Sequence, residues 1–126
     1  MSSPHRPLVL ITGAARRIGR AIALDLAGRG FDVAIHYRQS QHAAEAVVNE
    51  IRGLGARAAA LPGDLAKPED VERLVPACCE ALGAPTVLVN NASEFQPDSV
   101  VSTTLASWNA HLDINLRAPV FLAQQV

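Results

Sequence analysis

An apolar run, Leu8-Val9-Leu10-Ile11, leads directly into Thr12-Gly13-Ala14-Ala15-Arg16-Arg17-Ile18-Gly19. A buried strand that turns within a few residues into a helix, with glycine near both ends of the turn, fits few folds. Gly13 suits the tight turn, and Gly19 lets the following helix pack closely on its strand. Backbone amides in such a turn, at the positive end of the helix dipole, form a cradle for a pyrophosphate. Where the usual pattern has its middle glycine this chain has Arg17, so a guanidinium is expected to join the amides in touching phosphate. Strand-to-helix corners also use glycine for steric reasons alone, and the segments around the turn must decide between the two readings.

Those segments alternate. Leu8 to Thr12 reads as a strand, and Arg17 to Ala27 as a helix with Ile18, Ala21, Ile22 and Leu26 along one side. Gly28 and Gly30 end that helix before a second strand, Asp32 to His36. Ser40 is placed to cap a helix whose Ala44, Val47, Val48 and Ile51 recur at helical spacing. A third strand covers Arg57 to Leu61, and Pro68 opens a helix with Val71, Leu74, Val75, Cys78 and Leu82 on its apolar face. Pro76 within it predicts a kink or a break. A fourth strand runs from Thr86 to Asn90, and a last helix runs from about Thr104 with a second kink expected at Pro119.

The alternation predicts an α/β fold: a doubly wound, Rossmann-like parallel sheet of four strands in order 3-2-1-4, with helices on both faces. All 126 residues belong to one domain, read as the amino-terminal part of an NADP-binding domain that is truncated before its fifth strand. Ligand is expected across the carboxyl ends of the strands.

Composition narrows the function. A net charge of -1 gives no electrostatic case for nucleic acid or an acidic membrane surface. The opening Met1-Ser2-Ser3-Pro4-His5-Arg6-Pro7 has no apolar signal region, and no later run is long enough to span a bilayer, so a cytoplasmic setting is expected. Adjacent Cys78 and Cys79 lack metal-ligand spacing and read as reduced thiols, one of them buried. His5, His36, His42 and His111 show no spacing for a metal or a catalytic pair, so no metal site is expected, and no serine sits in a hydrolase-type elbow.

The strand ends carry the remaining signal. His36-Tyr37-Arg38-Gln39-Ser40 has no acidic residue to accept from a ribose 2′-hydroxyl, while Arg38 offers a fork-shaped cation for a 2′-phosphate, with Arg16 or Arg17 beside it. This favours NADP over NAD, against a solvated surface arginine. Asp64 either faces an adenine edge or caps the next helix. Asn90 and Asn91 either meet the ligand or pin neighbouring backbone, and one residue can do both.

These motifs, Thr12-Gly13 with Gly19, Asp64-Leu65, Asn90-Asn91-Ala92, and Asn115 within Asp113-Ile114-Asn115-Leu116-Arg117-Ala118-Pro119, resemble the amino-terminal half of the short-chain dehydrogenase/reductases. Arg17, Tyr37-Arg38 and Asn91-Ala92-Ser93-Glu94-Phe95 are similar to the pteridine reductases within that family. The resemblance assigns NADP(H) to Gly13, Arg16, Arg17, Ile18, Gly19, Tyr37, Arg38, Ser40, Asp64, Leu65, Asn91, Ala92 and Ser93. It implies reduction of a pterin or folate by hydride transfer, with Phe95 stacked on the pterin and Ser93 touching substrate or cofactor. A core position under a loop is the plainer reading of Phe95. Asn115 matches a catalytic asparagine that kinks its helix and helps order a water in a proton relay. A homotetrameric or homodimeric parent is implied as well.

The family delivers its proton through Tyr-x-x-x-Lys, and this chain has none: Tyr37 is its only tyrosine and Lys67 its only lysine. The chain alone is therefore expected to be inactive, and to self-associate through the fourth-strand edge and the helix face bearing Leu105, Trp108, Leu112 and Leu116. Two other functions stay open: a short-chain reductase of a ketone or acyl carbonyl, and an NADP(H)-binding module without catalysis.

Overall fold

The computed structural model describes residues 6–126. The leader reading at Met1 to His5 lies outside them. Strands β1 (Leu8–Ile11), β2 (Asp32–Tyr37), β3 (Ala58–Pro62) and β4 (Val87–Val89) form one parallel sheet in the order β3-β2-β1-β4. Helices α1 (Arg17–Gly28), α2 (Gln41–Gly53) and α3 (Pro68–Ala81) alternate with the strands. After β4 come α4 (Leu105–Leu112), a π-helical turn (Asp113–Arg117) and α5 (Ala118–Gln125). Three strands are displaced or shorter than expected: β1 ends before Thr12, β3 begins one residue later, and β4 loses both ends because only β1 pairs with it.

Alternation along β1 separates two cores. Val9 and Ile11 face α1 and α2, packing with Val33, Ile35, Ala44, Val47, Val48 and Ile51. Leu8 and Leu10 face α3 and α5, packing with Leu61, Leu74, Val75, Ala118 and Leu122. Covered on both faces, the sheet is apolar nearly throughout, as β-α-β crossovers require. Leu10 is 0% exposed. Burying a leucine side chain contributes roughly 1.5–3 kcal/mol.

The α1 face departs from expectation in part: Ile22 and Leu26 pack against the core as expected, but Ile18 and Ala21 do not. Gly19, Ala23 and Ala27 are its buried residues, whereas Ile18 is 70% exposed and Ala21 is also exposed. Small residues let the helix lie close to the sheet, and the larger Ile18 turns toward the cleft. Leu82 is half-buried at the end of α3, whose core stripe is Val71, Leu74, Val75 and Cys78. Helix α3 continues through Pro76 without a break. Pro76 is exposed and would have bonded the carbonyl of exposed Glu72, which water can solvate instead.

Ser40 stands at the start of α2 but makes no side-chain cap; its carbonyl accepts from Ala44. The irregularity expected at Pro119 occurs one turn earlier, because Pro119 has no N–H for the carbonyl of Asn115. The backbone widens there, and Ala118 donates to Asp113 five residues back.

Asp32, 4% exposed, fastens the base of the sheet. One carboxylate oxygen accepts from Arg6 Nε and the Arg57 amide, each at 2.9 Å, and the other from Arg57 Nε at 3.2 Å. Burial opposes the charge on Asp32, but these donors outweigh it and hold the carboxyl below its ordinary range. Cys78 is buried and Cys79 exposed. Burial and the neighbouring thiol push Cys78 up to about 11. Leu105 (75%), Trp108 (57%) and Leu116 (58%) lie exposed along the last helical stretch. No helix among the described residues is long and apolar enough to cross a membrane, and no cluster of His, Cys, Asp or Glu among them is placed to hold a metal.

Candidate functional site

A cleft of about 590 Å³ opens at the carboxyl ends of the strands. Gly13, Arg16, Arg17 and Ile18 form one side, Arg38 and Asp64 another, and Asn91, Ala92 and Ser93 a third; Leu65 also lines it. An adjoining recess is bounded by Arg16, Tyr37, Arg38 and Ser40 and shares Gly13 with the cleft. The structure thus brings together nearly every residue that the motifs singled out. Gly19 lies just beneath the cleft, while Phe95 and Asn115 stand outside its wall.

Close approach explains the glycines. Gly13 has φ +61°, and a Cβ there would lie 3.0 Å from Ala92 Cα. At Gly19 a Cβ would overlap the Gly13 carbonyl oxygen and come within 2.6 Å of Asn91 Nδ2. Arg17 also occupies the left-handed region, at φ 53°. A side chain there costs roughly 1–2 kcal/mol that glycine would avoid. In return the turn gains an exposed guanidinium on the cleft.

The turn is fastened to the end of β4 by buried polar contacts. Thr12 Oγ1 accepts from the amides of Asn91 and Ala92, both at 3.0 Å. Asn91 Nδ2 donates to the carbonyls of Thr12 (3.2 Å) and Gly13 (3.0 Å). Asn91 therefore has the pinning role, with its side-chain nitrogen spent on the turn. Thr12 carries as much of this connection and was not singled out as a site residue; a hydroxyl at a buried strand end is the signal for it.

Asp64 does not cap α3, whose N-cap is Lys67. Its Oδ1 accepts from the Ala66 amide at 3.0 Å, and its Oδ2 lies 3.9 Å from Arg38 Nη2. Asp70 holds the same loop by accepting from the Asp64 amide at 2.8 Å. That amide, with Arg73 next, keeps the Asp70 carboxyl below its ordinary range. Among the described residues Arg16 and Arg17 form no ion pair, so this end of the cleft presents cations suited to phosphate.

The segment after Ser93 is held from the helix beyond. Asn115 Oδ1 accepts from the Glu94 amide at 2.8 Å, and Asn115 Nδ2 donates to the Glu94 carbonyl at 2.9 Å. His111 Nε2 accepts from the Gln96 amide at 2.9 Å, while Nδ1 faces the Ser107 carbonyl at 2.7 Å. Between these anchors Phe95 is 82% exposed, with its ring edge-on to His111 at 6.5 Å. Phe95 is not a core residue. A large apolar ring held out on a fastened loop is available to a flat partner.

This sheet order, with a glycine turn and a polar cleft at the strand ends, defines a domain of the dinucleotide-binding fold class. The family model described as "short chain dehydrogenase" matches residues 7–126. The chain belongs to the short-chain dehydrogenase/reductase family. It is 37% identical over 117 residues to the 3-oxoacyl-[acyl-carrier-protein] reductase FabG of Staphylococcus epidermidis, covering 93% of this chain and 48% of that protein. It is 39% identical over 122 residues to the 3-oxoacyl-[acyl-carrier-protein] reductase of Synechocystis, covering 97% and 49%. The chain thus spans about half the length of these curated relatives. Among solved structures, FolM alternative dihydrofolate reductase 1 from Brucella canis, complexed with NADP, superposes with a TM-score of 0.90 at 44% identity, over 94% of this chain and 48% of that one.

Proposed function

We propose that this chain forms the NADP(H)-binding part of a reductase acting on pterin or folate substrates. The observation that carries the reading is Arg38 at the end of β2, where no carboxylate occupies the chain position that would accept from a ribose 2′-hydroxyl. The cleft fits the group: the two glycines let the turn pack tightly against Ala92 and Asn91 below the cleft, and cations line the end where phosphate would sit. Turn amides beyond Ala14 would hold the pyrophosphate, those of Gly13 and Ala14 being given to His36, with Arg16, Arg17 and Arg38 around the 2′-phosphate and Asp64 toward the adenine. When bound, NADPH supplies a hydride.

Phe95 and Ser93 would orient the substrate beside Asn91 and Ala92, with Phe95 stacked on a pterin ring. Asn115, its carboxamide engaged by Glu94, would serve the proton relay through its backbone carbonyl. The FolM structures with NADP from Brucella canis and Brucella suis, each 44% identical, support both halves of this reading. The 3-oxoacyl reductases among the relatives support a second one, an acyl carbonyl as substrate. Tyr37 borders the adenosine side and Lys67 precedes α3, so neither stands in for the Tyr-x-x-x-Lys pair. These 126 residues alone are expected to show no turnover and to self-associate.

The test is substrate choice by the intact protein. NADPH oxidation should be faster with dihydrobiopterin, dihydromonapterin or dihydrofolate than with an acetoacetyl thioester. Phe95→Ala should weaken pterin binding while NADPH binding stays nearly unchanged. Faster turnover of the thioester would establish the acyl reading instead. In calorimetry NADPH should bind more tightly than NADH, with Arg38→Asp flattening the preference, a loss of about 1.5–3 kcal/mol for a hydrogen-bonded charge.

A further inference from the structure

His36, at the end of β2, is 3% exposed with both ring nitrogens engaged. The Gly13 amide donates to Nδ1 at 3.0 Å, and Nε2 lies 2.7 Å from the Gly63 carbonyl oxygen. An amide requires a lone pair and a carbonyl requires a proton. The two contacts are satisfied together only by a neutral ring with its proton on Nε2. The imidazole therefore bridges two turns far apart in sequence. One leads into Arg16 and Arg17, the other into Asp64 and Leu65, and all four line the cleft.

We infer that His36 is a positioning residue: in its neutral Nε2–H form it ties the phosphate turn to the β3–α3 loop, and protonation of the ring unties them. This rests on the dinucleotide reading above for its effect on binding. Protonation would set an N–H at Nδ1 against the N–H of Gly13 and leave that amide without an acceptor. The charged groups around the ring are Arg16 and Arg17 from the turn, Arg38 beyond β2, Asp64 from the loop, and Lys67, Asp70 and Arg73 at the start of α3. Burial pushes the His36 imidazole below its ordinary value, against the Gly63 carbonyl, Asp64 and Asp70, which raise it. A pyrophosphate on the turn would by charge alone favour the imidazolium. A fall in affinity with acid, rather than a rise, is therefore the signature of the tie.

The experiment has three readouts on the intact protein. Imidazole ¹⁵N resonances near neutral pH should show Nδ1 bare and Nε2 protonated; an imidazolium or the opposite tautomer would overturn the proposal. Titration with NADH avoids the 2′-phosphate, whose own second ionisation falls at about 6. His36→Asn, which puts an amide oxygen in place of Nδ1 but gives up the Gly63 contact, should weaken NADH binding by about threefold, and His36→Leu, which gives up both contacts, should lose about tenfold or more. Wild-type affinity should fall only as pH drops through the His36 value, which burial holds below the ordinary one, while His36→Asn stays flat. A leucine variant that binds like wild type, or an asparagine variant as weak as leucine, would overturn it. If wild type binds neither NADH nor NADPH, the cofactor reading fails, and hydrogen exchange at the Gly13 amide decides on the tie. Faster exchange in the leucine variant alone would uphold it, and equal exchange in all three would overturn it.

Discussion

Asn115 and Glu94 hold each other through two reciprocal hydrogen bonds, the Asn115 carboxamide accepting from and donating to the backbone of Glu94. The carboxamide is spent on this pairing. It fixes the loop that presents Ser93 and Phe95, and it does so from a π-helical turn whose position follows from Pro119. The π turn and the loop thus act as one unit on the candidate substrate side.

Asn115→Ala should free that loop. Losing both bonds at a half-open site is expected to cost about 1–3 kcal/mol in stability. Substrate affinity of the intact protein should fall while NADPH affinity changes little. Calorimetry with NADPH beside steady-state kinetics with a dihydropterin checks this, and equal losses in both would refute it.

Arg17→Gly should move stability and binding in opposite directions. Glycine relieves the left-handed backbone at φ 53°, worth roughly 1 kcal/mol or more. The same change removes a cation from the cleft, so NADPH should bind about tenfold or more weakly, as for one charged hydrogen bond. Thermal unfolding and cofactor titration on one preparation separate the two effects.

Gly19→Ala should abolish dinucleotide binding and destabilise the fold. Its Cβ meets backbone and a pinned amide, neither of which can swing aside. Overpacking of this kind costs typically 1–3 kcal/mol. Gly28→Ala, where a Cβ meets nothing within 4 Å, is the control and should be neutral or slightly stabilising. Equal melting temperatures for the two variants would contradict the packing described for α1.

Acid should weaken the fold partly through Asp32. Its folded-state pKa lies below the ordinary value of 3.8, so its contribution is fully present above that value and is lost as pH falls through the folded one. Asp32→Asn should lower stability near neutral pH by about 1.5–3 kcal/mol and flatten the acid limb of the stability curve. Unfolding followed from pH 5 to 2 in both proteins tests the sign.

The elements, their order and both faces of the sheet were legible in the sequence because each depends on local spacing. Val9 and Ile11 alternate with Leu8 and Leu10, and Ala44, Val47, Val48 and Ile51 recur at a helical period, whatever lies opposite them. The glycine turn and the arginine after β2 were legible for the same reason, since residue type and position along the chain mark them. The tertiary structure decided what depends on contacts between distant segments. Only the packed fold shows that Ile18 faces the cleft, that Asn91 and Thr12 lock β4 to the turn, and that Asn115 is spent on Glu94. His36 is the plainest case: a strand-end histidine carries no local sign of its partners, and Gly13 and Gly63 reach its two nitrogens only when three strand ends meet. Periodicity selects which face of an element is buried, but a buried polar atom is satisfied only by whichever donor or acceptor the assembled chain brings within about 3 Å.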